Sequence, residues 1–260
     1  MSLTKKLKKI ALRDYLTSHP RTYRRFGAVW LLRYRNYIDR KLILGERYED
    51  AQINYCAQII AEHGVSCFVD IGANFGLYTI TLATGAASLD SVYAFEPDPR
   101  NYNHLCANIF LNGLDSLIDA RRIGLSNSKG SVRFLCNKGN STGMSRVADT
   151  APGSTNAGRF DESVIEVDTL DSQLGTVHDK VVYLKIDVEG HEKAVIEGGR
   201  SFFQQNRCFL QMEILGDQAS MIDWIREEIG FSCIRHIGND HFFQKDSKAT
   251  RVSEQQAPVC

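Results

Sequence analysis

The chain has 260 residues, enough for one full-sized domain with attachments or for two small ones. With 43% hydrophobic and 24% charged residues it reads as an ordinary globular protein, which excludes global disorder, collagen-like repeats and coiled coil. Its 31 basic and 31 acidic residues cancel, but unevenly: residues 1–47 hold 13 Lys/Arg against 3 Asp/Glu, and the rest holds 18 against 28.

Residues 1–47 read as a basic helical extension. Leu3, Leu7, Ile10, Ala11 and Leu16 fall near helical spacing, and a second helical stretch is expected over roughly 21–40. Such an arm is a solvated amphipathic face, a contact with a membrane surface, or a dimerisation element. No apolar run approaches the ~18 residues of a membrane span; the longest near the start, Phe26 to Leu32, is closed by Arg33. No apolar stretch of a secretory leader follows the basic residues Met1 to Ile10. A third helix is expected over 48–63, ending at Gly64.

From residue 66 the pattern changes to short buried strands alternating with helices. Strands are expected at 66–71, 91–95, 117–123, 181–186 and 208–215, with helices at 74–84, 101–111, 192–203 and 219–229. Two final strands, 231–236 and 241–244, flank the turn Gly238-Asn239-Asp240. This predicts an α/β fold, a parallel sheet with helices on both faces and a terminal antiparallel hairpin. Strand-like runs at 130–135 and 164–167 enclose a long polar loop, 136–162, of the length that covers sites. The expected domains are the extension 1–47, the α/β body 48–246 and a flexible tail 247–260. Seven cysteines without a Cys-x-x-Cys pair read as small core residues in a reducing, cytoplasmic compartment.

Two turns carry the chemistry. The first, Val69-Asp70-Ile71-Gly72-Ala73-Asn74-Phe75-Gly76, lets the backbone bend sharply and lets a ligand come close. It lacks the third glycine spacing of a dinucleotide site and the Lys of a phosphate loop, so a nucleoside without pyrophosphate fits better than NAD. Glu96, directly after the second strand, is placed to accept hydrogen bonds from ribose hydroxyls. The bland reading is that this acid caps the next helix. The second turn holds Asp187, Glu189, His191 and Glu192 at the carboxyl end of the strand 181–186, where ligands of open α/β sheets bind. Its bland reading is again a helix cap, which suits Glu192 best.

The run VDIGANFGLYT, then AFEPDP, GLSNSKGSVRF, Leu184-Lys185-Ile186-Asp187-Val188-Glu189-Gly190-His191-Glu192 and Gln211-Met212-Glu213-Ile214, resembles the FkbM family of S-adenosylmethionine-dependent methyltransferases over about 65–215. The resemblance implies a Rossmann-like seven-stranded methyltransferase sheet, order 3-2-1-4-5-7-6 with the last strand antiparallel. It places Asp70, Gly72, Ala73, Asn74 and Gly76 along the methionine part of S-adenosylmethionine, and Glu96 on the ribose. Pro97, Gly124 and Ser126 fall on the adenine side. Asp187, Glu189 and His191 become the catalytic candidates. A hydroxyl acceptor needs its proton taken, and a positioned base contributes about 10²–10⁴-fold. A divalent metal held by Asp187, Glu189 and Glu213 is a second reading, less favoured than a metal-free site.

The resemblance implies O-methylation of a sugar, a glycan or a related natural product such as a polyketide. Asn140, Ser141, Thr142 and Arg146 of the long loop are candidate acceptor contacts. The basic arm suggests a glycan made at the inner face of a membrane. Nucleic acid is not expected as a partner, because the body is acidic and no Asn-Pro-Pro-Tyr-type motif follows the fourth strand. The alternative from another class is a nucleoside-binding regulator without catalysis.

Overall fold

The computed structural model describes residues 19–139, 142–148, 160–214 and 216–245. It opens on an antiparallel hairpin, β1 (Arg21–Arg25) and β2 (Ala28–Leu32). Phe26 and Gly27 join the strands, both at positive φ (51° and 85°). That is the backbone of a two-residue hairpin turn, and it cannot continue a helix. The helix expected over 21–40 is therefore corrected to a hairpin followed by α1 (Tyr37–Ile43). Burial in β2 alternates with a period of two, with Ala28, Trp30 and Leu32 facing the core. The helix expected at 3–17 and the tail 247–260 lie outside the described residues. The described part of the arm is thus no separate helical extension.

The body then alternates. In order come α2 (Asp50–His63), β3 (Cys67–Ile71), α3 (Leu77–Gly85), β4 (Ser91–Phe95), α4 (Pro99–Leu111) and β5 (Ile118–Arg121). A small second sheet is inserted next. It consists of β6 (Gly124–Leu125), β7 (Gly130–Asn137), β8 (Arg146–Val147) and β9 (Phe160–Asp168), in the order β6-β9-β7-β8. The main sheet resumes after the short α5 (Leu170–Gln173) with β10 (Val181–Ile186), α6 (Glu192–Glu197), α7 (Arg200–Gln205), β11 (Arg207–Glu213) and α8 (Gln218–Trp224). A π-helical turn, Ile225–Ile229, leads into β12 (Ser232–Ile237) and β13 (Asp240–Lys245).

The seven strands of the main sheet lie in the order β5-β4-β3-β10-β11-β13-β12. The first five are parallel, and β13 runs antiparallel to both neighbours. Counted within this sheet alone, the order is 3-2-1-4-5-7-6. β3 is buried at every position, as a strand covered on both faces must be. Phe68, Tyr183 and Phe209 belong to the core layer on one face, and Val69, Leu184 and Leu210 to the layer on the other.

Three local differences from the sequence pattern have physical causes. α3 starts at Leu77 because Asn74 and Gly76 are left-handed, at φ 52° and 93°. The helix expected over 192–203 is split at Gly198-Gly199, where a Cβ on Gly198 would overlap the carbonyl of Ser126. The loop expected over 136–162 is shortened at both ends, since β7 runs to Asn137 and β9 begins at Phe160. Of its candidate contacts, Asn140 and Ser141 lie outside the described residues.

The hairpin is tied to the body by α4. Asn108 accepts from Leu31 N (2.7 Å) and donates to the carbonyl of Phe75 (2.9 Å). Asn112 both accepts from Val29 N (2.9 Å) and donates to Val29 O (2.7 Å). His104 contacts the carbonyl of Leu31. These side chains stand in for a neighbouring strand and satisfy the backbone of β2. Trp30 packs edge-on against Phe75 at 6.0 Å, so the hairpin backs the glycine turn.

Candidate active site

A cavity opens where the carboxyl ends of β3, β4 and β10 meet. Asp70, Gly72, Ala73, Asn74, Glu96, Pro97, Gly124, Asp187 and His191 all line it. Three expected residues do not: Gly76, Ser126 and Glu189. Gly76 sits against α4, where a Cβ would press on Leu105 at 2.6 Å. Ser126 instead holds His191, Oγ to Nε2 at 2.9 Å.

The glycine turn folds over the end of β4. Gly72 N and Ala73 N donate to the carbonyl of Phe95 at 2.9 and 3.0 Å. On its other side Asp187 N donates to Ile71 O at 3.0 Å. A Cβ on Gly72 would overlap the Asp187 carbonyl oxygen, so only glycine lets β10 approach this closely.

Glu96 is no helix cap. That role belongs to Asp98, which accepts from Arg100 N at 2.9 Å and pairs with the Arg100 guanidinium at 2.8 Å. Glu96 instead turns back to accept from Asn74 N and Asp98 N, each at 2.8 Å. Burial pushes its pKa up to about 8 against the pull of those two N–H groups. Asp70 accepts from the amide and the hydroxyl of Thr79 at 3.1 and 2.5 Å through one oxygen. The amide of Thr79 is therefore not free for a ligand. The other oxygen of Asp70 is buried without a hydrogen-bond partner in a residue only 1% exposed. Such an atom is costly unless a ligand satisfies it.

Around this polar rim the small sheet supplies an apolar wall. Phe134, Val147, Ile165 and Val167 line the cavity beside Gly124, and a Cβ there would meet Val167 at 3.1 Å. A slot with an apolar wall and a buried acid suits a nucleoside.

The second turn gathers carboxylates. Asp187 accepts from Lys185 Nζ at 2.9 Å. Neither Asp187 nor Glu189 caps α6, whose N-cap is His191 without a side-chain bond. Glu192 folds back on Gly190 N at 2.9 Å. Glu189 lies at φ 53°, a left-handed backbone that a non-glycine residue seldom adopts. Burial, then Asp187 and Glu213, push its pKa up to about 7. Burial, then Asp187 and Asp240, do the same to Glu213, also to about 7. Burial lowers the pKa of His191, which favours its neutral form. Among the described residues no three His, Cys, Asp or Glu side chains are grouped to hold a metal ion, so Asp187, Glu189 and Glu213 do not form the ligand set considered above.

Lys185 is the residue that the sequence pattern hid. Register places Asp70, Lys185 and Gln211 side by side across β3, β10 and β11. All three are buried. The Lys185 ammonium lies 4.7 Å from the Tyr78 ring centroid. Asp187, then Asp70 and Glu49, raise its pKa against burial and keep it charged. A lysine inside an otherwise apolar strand was the available signal. Tyr48 and Glu49, which also line the cavity, carried none.

The sheet, the glycine turn and the acid after the second strand define a class of protein, the nucleoside-dependent methyltransferases. The pattern described as the Methyltransferase FkbM domain matches residues 70–233, and the chain belongs to that family. The chain is 30% identical over 129 residues to the hexuronic acid methyltransferase AglP of Haloferax volcanii. That match covers 50% of this chain and 48% of the relative, so the chain spans about half of that protein's length. The methyltransferase FkbM of Methylobacillus flagellatus KT superposes with a TM-score of 0.46 at 16% identity, over 70% of this chain and 44% of that one. The N-terminal domain of human METTL16 in complex with SAH superposes with a TM-score of 0.41 at 12% identity, over 74% and 67%. No helix among the described residues is long and apolar enough to cross a membrane.

Proposed function

We propose that the protein transfers the methyl group of S-adenosylmethionine to a hydroxyl of a sugar or glycan. When bound, the cofactor supplies a methyl group already activated on a sulfonium. The chain's own residues then have to hold the partners in line and take one proton. Orientation of this kind supplies roughly 7–11 kcal/mol of barrier lowering.

The cofactor would be held by the glycine turn, with Asp70, Gly72, Ala73 and Asn74 along its amino-acid part and Gly76 setting the turn. The unpartnered oxygen of Asp70 supports this, since it needs a donor. Glu96 would accept from the ribose hydroxyls. Pro97, Gly124 and the apolar wall would flank the base, with Ser126 acting through His191.

The observation that carries the reaction is the acidic turn at the carboxyl end of β10, where Glu189 is held at a strained φ of 53° two residues beyond the cavity-lining Asp187. A carboxyl raised to about 7 is matched to taking a proton near neutral pH. Asp187, fixed by Lys185, would orient the acceptor hydroxyl, and neutral His191 is the second base. The relative named as a hexuronic acid methyltransferase supports a sugar acceptor. The acidic surroundings of Glu189 speak against a polyanionic nucleic acid. The basic arm's contact with a membrane at its inner face remains part of the proposal. Its test is sedimentation with anionic vesicles, where loss of residues 1–18, which carry 5 of the 13 basic residues of the arm 1–47, should weaken binding. The catalytic test is labelled methyl transfer to a panel of methyl glycosides. Incorporation into the sugar is expected with the natural chain, and incorporation only into non-sugar hydroxyls overturns the acceptor class.

A further inference from the structure

Beside the cofactor cavity lies a second, more open one. Tyr48 and Glu49 line both, so the two share a wall. Its lining comes from three distant stretches: the segment 41–52, Glu213 at the end of β11, and the hairpin turn at Asn239 and Asp240. The first and last of these lie outside the matched family region, 70–233.

Glu49 is held in an unusual way. It stands at φ 52° and is the N-cap of α2, yet its side chain makes no cap bond. Its carboxylate is turned inward, toward the Tyr78 hydroxyl and the Lys185 ammonium. A strained backbone that aims a side chain at the seam of two cavities is a mark of a working residue.

The polar groups of the outer cavity are also fixed. Asp240 accepts from Gln52 at 3.1 Å and from Gln211 at 2.7 Å. Gln211 donates as well to the Tyr78 hydroxyl at 3.1 Å, which ties the outer cavity to the inner one. The cations at the rim have partners of their own. Lys41 lies over the rings of Tyr37 and Tyr48, and Arg47 pairs with Asp50 at 3.1 Å. Against these two cations the outer cavity sets four carboxyl groups, Glu49, Asp50, Glu213 and Asp240, of which Glu49 stands at the seam.

We propose that the outer cavity is the acceptor subsite, that Glu49 contacts the acceptor where the cavities meet, and that the acceptor is a neutral saccharide unit rather than a uronic acid. Sugar hydroxyls donate well to fixed carboxylates, and Gln52 and Asn239 add neutral partners. A uronate would add a negative charge to a lining in which carboxyl groups outnumber cations four to two, and like-charge juxtaposition suppresses wrong partners. This inference rests on the sugar-methylation reading above and names its substrate class.

The test uses the full chain with saturating S-adenosylhomocysteine. Saturation-transfer NMR compares methyl β-glucopyranoside with the corresponding methyl glucuronide. The neutral glycoside should bind, and the uronide should bind about tenfold more weakly or not at all. Gln52→Ala and Asn239→Ala should each weaken the neutral glycoside by up to about tenfold. Both should keep S-adenosylhomocysteine affinity, which also shows that they fold. Glu49→Gln should weaken the neutral glycoside and narrow the gap to the uronide. A uronide preference, or glycoside binding indifferent to all three substitutions, overturns this inference and leaves sugar methylation standing. Binding of neither glycoside while S-adenosylhomocysteine still binds sinks the subsite together with the sugar reading.

Discussion

Glu189 and Lys185 show how a few side chains set the chemistry of the site. Glu189 has its pKa raised to about 7, so it acts as a base only once deprotonated. The rate of methyl transfer should rise with pH to about 7 and then level off. Glu189→Gln should lower that rate by about 10²–10⁴-fold, remove this limb of the pH profile and leave S-adenosylhomocysteine affinity within a few fold. A variant with full turnover contradicts the role. Lys185 is the buried cation facing Asp187, Asp70 and Glu49. Lys185→Met leaves those carboxylates uncompensated, and breaking such a pair costs about 3–5 kcal/mol. Denaturant titration near neutral pH should show that loss, and it should shrink as the solution is acidified, since burial already holds Asp70 and Glu49 above the ordinary carboxylate range and loss of the ammonium moves them further up. The turn acids were legible in the sequence because strand ends of a parallel sheet are where ligands bind. Lys185 and Glu49 were not, because their partners reach them only through strand register and through a helix start far away in the chain.

Among the elements, the N-terminal hairpin is the one that the sequence misrepresented. Its Arg- and Tyr-rich composition mimics a helix, while its true period shows only in the burial of Ala28, Trp30 and Leu32. The groups that satisfy β2 are side chains of α4, which local pattern does not disclose. The parallel strands were legible for the opposite reason, since burial on both faces makes each a short apolar run. Asn108 links the hairpin to the glycine turn through Leu31 and Phe75. Asn108→Ala leaves two buried backbone groups without partners, a cost of about 1–3 kcal/mol each where no water replaces it. Thermal unfolding should move down by several degrees, and S-adenosylhomocysteine should bind more weakly because the Phe75 carbonyl loses its anchor. Unchanged unfolding would mean that the hairpin is not held by α4.

The whole molecule places its cavity at the reversal of strand order between β3 and β10, where open α/β sheets bind ligands. It also carries buried acids whose desolvation outweighs the groups that favour their charged form. Glu96 has a pKa of about 8 against an ordinary 4.5, and Asp39, buried in α1 of the arm, about 7 against 3.8. The folded state therefore keeps protons that the unfolded chain releases. The stability these groups contribute is complete below about pH 4 and is lost as pH rises through about 7 and 8. Chemical denaturation should find the ligand-free chain less stable at about pH 8.5 than at about pH 5.5, and Glu96→Gln should flatten that slope.

The central claim is that the cavity between the glycine turn and Glu96 holds the nucleoside cofactor. Calorimetric titration of the full chain with S-adenosylhomocysteine, with NAD as control, tests it most directly. One site of micromolar affinity is expected for the former alone, weakened by up to about tenfold by Glu96→Gln, because an amide offers the ribose hydroxyls one acceptor oxygen fewer than the carboxyl and a lost hydrogen bond costs about 0.5–1.5 kcal/mol. A folded chain that binds neither ligand, or binds S-adenosylhomocysteine equally well without the Glu96 carboxylate, would contradict it.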